Sequence, residues 1–149
     1  MAEDLILLVE DNDDDVALVQ RAIRRAGIST RMHAVGDGDA AVDYLQGTGP
    51  YADRQAWPMP RLVLLDLKLP RRSGLEVLEW MRAQPSLAPT VVVALTSSRE
   101  NADLQRAYAL GANSYLVKPV DFDDLLQMMQ TLDLYWIRMN QLPPRPGST

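Results

Sequence analysis

Two short apolar segments each end abruptly on acidic residues, and this feature constrains the fold more than any other. Residues 5–9 (LILLV) run into Glu10 and Asp11, and residues 62–65 (LVLL) run into Asp66. Near-continuous runs of Leu and Val are typical of strands that are covered on both faces. A carboxylate is costly to bury in a dry interior, so the chain must surface or pair its charge at these points. The sequence therefore predicts two strands that deliver acids to one edge of a sheet.

Further apolar segments alternate with amphipathic ones along the chain. Residues 91–95 (VVVAL) and 114–117 (SYLV) resemble the first two runs, whereas residues 31–35 (RMHAV) alternate as an edge strand does. Buried helical stripes are indicated by the spacing of Val16, Val19, Ile23 and Ala26, of Leu75, Leu78 and Met81, and of Leu104, Ala107 and Tyr108. Five strands alternating with five helices predict an α/β fold, a doubly wound five-stranded parallel sheet of flavodoxin-like order 2-1-3-4-5.

Length and composition allow one ordinary hydrophobic core. A chain of 149 residues that is 47% apolar predicts a single domain over residues 1–142. Two adjacent prolines open residues 143–149, which are therefore predicted to form an irregular tail. Residues 47–60 contain three prolines and two glycines and predict a long surface loop before the third strand.

Charge and missing residue types narrow the class of protein. The net charge of −5 argues against nucleic-acid binding through phosphates. The absence of cysteine excludes disulfides and thiolate metal sites. The first residues carry no basic segment or cleavage site typical of a signal peptide, and no apolar run approaches the ~18 residues that span a bilayer. We therefore expect a cytoplasmic protein that contacts neither DNA nor membrane.

Polar residues that follow four of the strands predict a phosphoryl site. If the first and third strands are neighbours, Glu10, Asp11 and Asp66 converge, and each pair at 4 Å costs ~4 kcal/mol at an effective dielectric of 20. Either a divalent ion or the amine of Lys118 can balance them, and oxygen ligands without Cys or His select Mg²⁺ or Mn²⁺. With the hydroxyl of Thr96, this set suits a phosphoryl group held on the carboxylate of Asp66.

Four sequence blocks resemble the conserved blocks of two-component response-regulator receiver domains. LVEDN, LLDLKLPRRSG, ALTSS and GANSYLVKP occur in the expected order, and the resemblance covers roughly residues 4–135. It implies Asp66 as phospho-acceptor, and Mg²⁺ ligation by Asp11, Asp66 and the backbone carbonyl of Lys68, with Glu10 acting mainly through water. It further implies the following roles: Thr96 is the switch hydroxyl, Lys118 contacts the phosphate, Tyr115 changes rotamer, and Lys118–Pro119 is a cis peptide.

A narrower resemblance is to the single-domain regulators that serve cyanobacterial and bacterial phytochromes. The long loop, the LPRRSG turn, the TSS sequence and a last helix ending in YWIRMNQLP carry it. It implies a sensor histidine kinase, a bacteriophytochrome, as phosphodonor. Output would then pass through protein contacts, with the chain serving as a relay or as a phosphate sink.

Four other polar features receive smaller roles. The run Asp13–Asp15 is predicted to cap the first helix and to take no part in ligand binding. His33, the sole histidine, is predicted to be a partly exposed structural residue. Lys68 and Ser98 should lie at the mouth of the site, where the ammonium of Lys68 can reach the phosphoryl group.

The last helix, predicted from about Asp121 to Leu142, carries more apolar residues than one face needs. The stripe predicted to cover the core comprises Leu125, Met128, Met129, Leu132, Trp136 and Met139. Leu126, Leu134 and Ile137 fall on another side, and an exposed apolar patch usually marks a partner surface. We therefore expect a homodimer through this helix, the fifth strand and the fourth helix.

Two other classes of protein fit parts of the pattern. A phosphatase of the haloacid-dehalogenase type also uses a strand-end aspartate, but it needs a second acid two residues later, where this chain has Lys68. A flavodoxin-like cofactor carrier needs a hydroxyl- and glycine-rich phosphate loop after the first strand. Here the first strand is followed by EDNDDD, which would repel a phosphate.

Overall fold

Five parallel strands form the centre of the computed structural model, which describes residues 4–144. The sheet order is β2-β1-β3-β4-β5, as the sequence predicts. The strands are β1 (Leu5–Val9), β2 (Arg31–Val35), β3 (Leu62–Leu65), β4 (Val91–Thr96) and β5 (Ser114–Val117). The three central strands are buried along their whole length, whereas β2 and β5 at the edges are only partly buried.

Helices cover both faces of the sheet. They are α1 (Asp13–Arg25), α2 (Gly38–Gln46), α3 (Gly74–Ala83), α4 (Asn101–Ala109) and α5 (Phe122–Leu132). One core layer is formed with α2, α3 and α4, and the other with α1 and α5. On α4 only Ala107 of the predicted stripe is buried, while Leu104 and Tyr108 are exposed. No helix within residues 4–144 has the length and hydropathy that crossing a membrane requires.

The register of the strands brings their polar ends level. Val9 of β1 is opposite Leu65 of β3, so the next residues on each strand emerge side by side. Thr96, the last residue of β4, is opposite Val117 of β5. The parallel sheet therefore collects acids, a hydroxyl and Lys118 at one edge, as the sequence predicts.

The C-terminal helix departs from the prediction because it changes its winding. After Leu132 the chain continues as a π-helical segment, Asp133–Met139, and the helix ends there and not at Leu142. The buried carboxylate of Asp133 accepts bonds from Thr30 Oγ1 at 3.0 Å and Arg138 Nε at 2.9 Å. Residues 140–144 have no regular structure, and the rest of the predicted tail lies outside the described residues.

The change of winding also changes which residues face the core. A π-helical turn contains more residues than an α-helical turn, so residues beyond Asp133 rotate relative to the predicted stripe. Ile137 is 8% exposed and belongs to the core, whereas Met139 is 60% exposed. The prediction that Ile137 lies on the surface is therefore wrong. Leu126 is also partly buried, and Leu134 is exposed.

An aromatic cluster fixes the long loop that precedes β3. The loop contains a 3₁₀ turn, Gly49–Tyr51, and its Tyr51 and Trp57 pack against His33 of β2. His33 Nε2 lies 3.0 Å from Tyr51 Oη, and the fully buried Tyr44 donates its hydroxyl to Pro58 O at 2.8 Å. Burial lowers the pKa of His33, which is a structural residue as predicted.

Candidate functional site

Three carboxylates converge where β1 and β3 end. Oxygen atoms of Glu10, Asp11 and Asp66 all lie within 4.8 Å of one another. Glu10 and Asp66 are buried, while Asp11 is exposed. The structure therefore brings together the acids that the sequence places at separate strand ends, with one of them open to solvent.

Backbone amides orient the two buried acids. Asn12 N donates to Glu10 Oε2 at 3.0 Å, and Lys68 N donates to Asp66 Oδ1 at 3.1 Å. A Cβ at Gly74 would collide with the carbonyl oxygen of Asp66, so only glycine lets α3 begin so close to this strand end. The backbone around Asp66 is therefore tightly packed, and the amide of Lys68 orients its carboxylate.

Lys118 provides the positive charge of the site. Its Nζ donates to Asp66 Oδ2 at 3.0 Å and to Asp15 Oδ2 at 3.1 Å, and it is paired with Glu10 Oε1. Burial opposes the charge on Lys118, but bonds to Glu10, Asp66 and Asp15 outweigh it and raise the pKa of the amine. Burial also disfavours the charged form of Glu10 and so raises the pKa of its carboxyl group, although the hydrogen bond from Lys118 acts in the opposite direction. Lys118 therefore carries its positive charge at neutral pH.

Asp15 is a site residue that the sequence analysis missed. The run Asp13–Asp15 was predicted to serve only as a cap, but the capping side chain is that of Asn12, which accepts from Asp15 N at 3.0 Å. The carboxylate of Asp15 contacts Lys118 instead. Its position four residues before the buried Val19 places it at the head of the buried stripe of α1, and this spacing is the signal that could have found it.

Ser98 connects the polar residues beyond β4. Ser98 N lies 3.4 Å from Thr96 Oγ1, Ser98 O accepts from Tyr115 Oη at 2.9 Å, and Ser98 Oγ donates to Asp103 Oδ2 at 2.5 Å. Thr96 is 1% exposed. The prediction that Ser98 lies at the mouth of the site is wrong, because its hydroxyl bonds to α4 and the residue is buried. Lys68, by contrast, is exposed as predicted.

The peptide bond between Lys118 and Pro119 is trans, since no peptide bond within residues 4–144 is cis. The prediction of a cis bond is therefore wrong for this structure. A trans bond before proline is favoured by ~0.5–1 kcal/mol, and no residue pattern specifies the rarer isomer. Lys118 reaches Asp66 with the bond in this form, and Lys118 N donates to Thr96 O at 2.9 Å.

The donor set fits a hard divalent cation. The cluster contains three carboxyl groups, those of Glu10, Asp11 and Asp66, and the single ammonium of Lys118 pairs with two of them, Glu10 and Asp66. All these donors are oxygen atoms, which favour Mg²⁺ or Mn²⁺ over zinc. The exposed Asp11 gives such an ion access from solvent. We conclude that this cluster suits Mg²⁺ or Mn²⁺.

Comparisons with known proteins give close relatives along nearly the whole chain. The chain is 42% identical over 147 residues to the probable methanogenesis regulatory protein FilR2 of Methanothrix harundinacea, covering 95% of this chain and 90% of that protein. It is 38% identical over 139 residues to the response regulator Rcp1 of Synechocystis sp., covering 93% of this chain and 92% of that protein.

Solved structures agree with this similarity. The crystal structure of the phosphorylated cyanobacterial phytochrome response regulator RcpA matches with a TM-score of 0.87 at 34% identity, over 96% of this chain and all (100%) of that one. The Mn²⁺-bound form of Rcp1 matches with a TM-score of 0.83 at 38% identity, over 95% of this chain and 99% of that one. Residues 6–130 match the model of the response regulator receiver domain. The chain therefore belongs to the response-regulator receiver family.

Proposed function

We propose that this chain accepts a phosphoryl group on Asp66 from a partner histidine kinase and passes the signal on by protein contacts. The observation that carries the proposal is the convergence of Glu10, Asp11 and Asp66 within 4.8 Å, with Lys118 Nζ 3.0 Å from Asp66. The proposal makes the chain a phospho-acceptor switch that catalyses at most its own phosphorylation and dephosphorylation. The phosphatase and cofactor-carrier alternatives have no comparable support.

The chemistry follows from the positions of the side chains. An oxygen of Asp66 attacks phosphorus while the bond from phosphorus to the donor breaks, and the donor leaves with the electron pair. Lys118 donates a hydrogen bond to the phosphoryl oxygens and stabilises the negative charge that develops on them. Asp11, Asp66 and the carbonyl of Lys68 would hold Mg²⁺, with Glu10 acting through water, and the ion supplies further neutralisation of charge.

The negative charge added to Asp66 would be transmitted to the α4 surface by changes in the positions of Thr96, Ser98 and Tyr115. A phosphoryl group brings strong acceptor oxygens to which the Thr96 hydroxyl can donate. A movement of Thr96 would disturb Ser98, because Ser98 N lies 3.4 Å from Thr96 Oγ1. Ser98 is also hydrogen-bonded to Tyr115 and Asp103. The α4 surface would change with them.

The similarity to RcpA leads us to propose a phytochrome as the kinase, and with it a cytoplasmic location. The similarity to FilR2, whose name concerns methanogenesis, favours a different sensor kinase as the second candidate. Transfer from a phytochrome kinase that differs between red and far-red light would support the first. A net charge of −5 supports the absence of direct DNA contact.

We further propose a homodimer through α4, β5 and the C-terminal helix. A groove of about 750 Å³ runs beside β5, and its lining includes Leu116, Met128 and Tyr135. Tyr108 of α4 is 49% exposed and Leu134 is 53% exposed. This surface keeps Leu134 of the predicted face and omits Ile137, which is buried.

Incubation with acetyl phosphate and Mg²⁺ tests the proposed function. We expect the intact mass to rise by one phosphoryl group, and sedimentation at tens of micromolar to show a dimer with or without phosphate. Omission of the divalent ion is expected to prevent the mass change. Lack of uptake with Mg²⁺ would contradict the phospho-acceptor role, and a monomer under both conditions would contradict the dimer alone.

Replacement of Tyr115 by Phe tests the contact between β5 and the loop after β4. The variant loses the bond from Tyr115 Oη to Ser98 O at 2.9 Å, so the free energy of unfolding in urea should fall by about 1 kcal/mol. Tyr108→Phe, at a half-exposed ring on α4, is the matched control. Measured below the concentration at which the proposed dimer forms, it should lie within about 0.5 kcal/mol of the wild type. Equal losses in the two variants would contradict a special role for Tyr115.

A further inference from the structure

Among the partners that residues 4–144 provide, Lys118 has no spare hydrogen-bond donor. An ammonium group carries three N–H donors, and the three partners of Nζ are Glu10, Asp15 and Asp66. A phosphoryl group on Asp66 needs a donor from Lys118, so at least one of these bonds must break when phosphate arrives. The rate of phosphorylation therefore depends on which carboxylate loses its bond to Lys118.

Exposure distinguishes the three carboxylates. The side chains of Glu10 and Asp66 are 3% and 9% exposed, whereas that of Asp15 is 37% exposed. Glu10 and Asp66 also belong to the cluster suited to a divalent ion, whereas Asp15 does not. Asp15 thus holds Lys118 from the solvent side, on a different element, and has no other assigned task in the proposed reaction.

We infer that Asp15 is a positioning residue that restrains Lys118 before phosphorylation and slows uptake of phosphate. Its carboxylate occupies a donor of Lys118 that the phosphoryl oxygens require. The inference rests on the proposed function. It concerns the rate at which Asp66 is phosphorylated, since Asp15 itself touches neither phosphorus nor the leaving group.

Replacement of Asp15 by Asn tests the restraint. Asn keeps the size of the side chain and, through Asn12, the cap of α1, but it removes the charge. With acetyl phosphate below saturation and Mg²⁺ in excess, phosphorus bonds to Asp66 as its bond to the acetate oxygen breaks and acetate leaves. We expect the initial rate of this uptake to rise about three- to fivefold, equivalent to about 0.6–1 kcal/mol. A rise in rate is a change that a merely structural role of Asp15 would not produce.

Three controls separate this restraint from a general effect of charge. Asp14 is exposed on the same turn of α1, so Asp14→Asn removes the same charge and should leave the rate unchanged within about 1.5-fold. Asp15→Glu restores the charge and should bring the rate back toward that of the wild type. In a Lys118→Met background, Asp15→Asn should have no further effect, because the partner through which it acts is gone.

The outcomes keep this inference apart from the proposed function. An unchanged or lower rate in Asp15→Asn, with normal uptake by the wild type, would overturn the restraint alone. Equal increases in Asp14→Asn, or an increase that persists without Lys118, would also overturn it. Lack of uptake by the wild type would overturn the proposed function and the restraint together. Circular dichroism and thermal unfolding of each variant identify any rate change that comes from misfolding.

Discussion

Replacement of Asp66 by Asn is expected to abolish phosphorylation by acetyl phosphate. The amide keeps the shape of the side chain and an oxygen that can accept from Lys68 N, which lies 3.1 Å from Asp66 Oδ1. It lacks the anionic oxygen that attacks phosphorus, so we expect the rate to fall at least ~100-fold. Intact mass after incubation with Mg²⁺ measures the loss, and the folded state is checked by thermal unfolding.

The control for this variant is Asp14→Asn, which removes an exposed carboxylate outside the cluster. It should gain one phosphoryl group at the rate of the wild type. If Asp66→Asn still gained a phosphoryl group, peptide mapping would locate it on another side chain. That result would contradict the assignment of Asp66, although the family membership would stand.

The positions of the three central strands could be predicted because burial on both faces demands apolar residues at every position. The five predicted strands all occur, and only β4 differs, because it extends by one residue to Thr96. Their polar ends were equally predictable, since parallel strands in the flavodoxin-like order share one carboxyl edge. The central acids and Lys118 therefore followed from pattern and topology together.

The C-terminal helix could not be predicted from periodicity. The apolar spacing assumes α-helical winding throughout, but the segment from Asp133 to Met139 is π-helical. Arg61 on the sheet side donates to the carbonyls of Trp136 at 3.3 Å and Asn140 at 2.9 Å, and Asp133 is held by Thr30. These are contacts between residues far apart in the chain. The burial of Ile137 therefore depends on tertiary structure.

Asp15 shows how a local explanation can hide a tertiary one. Acidic residues in the first turn of a helix are explained by its positive end, and Asp13 and Asp14 still fit that account. Asp15 lies four residues before the buried Val19 and so shares its side of the helix, whereas Asp13 and Asp14 have other spacings from Val19. The distance of 3.1 Å to Lys118 then depends on where the fold places α1 relative to the chain after β5, which the sequence does not specify.

Replacement of Lys118 by Met is expected to change both stability and the response to Mg²⁺. Without the ammonium, Glu10, Asp15 and Asp66 lose their shared partner, and buried charges without a partner are strongly destabilising. Because Asp15 is partly exposed and Glu10 can take up a proton, we expect a loss of about 1–3 kcal/mol in unfolding free energy at neutral pH in EDTA. The loss should shrink as the pH falls through the carboxylate range, since protonated carboxyl groups no longer repel one another.

Mg²⁺ should restore much of this stability because a divalent ion no longer competes with an ammonium for the same oxygens. We expect at least about tenfold tighter Mg²⁺ binding by calorimetry and a larger rise in melting temperature than in the wild type. Arg71→Met, which removes a 69% exposed guanidinium from the loop after β3, is the matched control and should change neither quantity appreciably. Phosphorylation of Lys118→Met by acetyl phosphate should still be slower than that of the wild type, because the metal cannot replace the hydrogen-bond donor beside Asp66. Weaker Mg²⁺ binding by Lys118→Met would contradict a site in which lysine and metal share carboxylates.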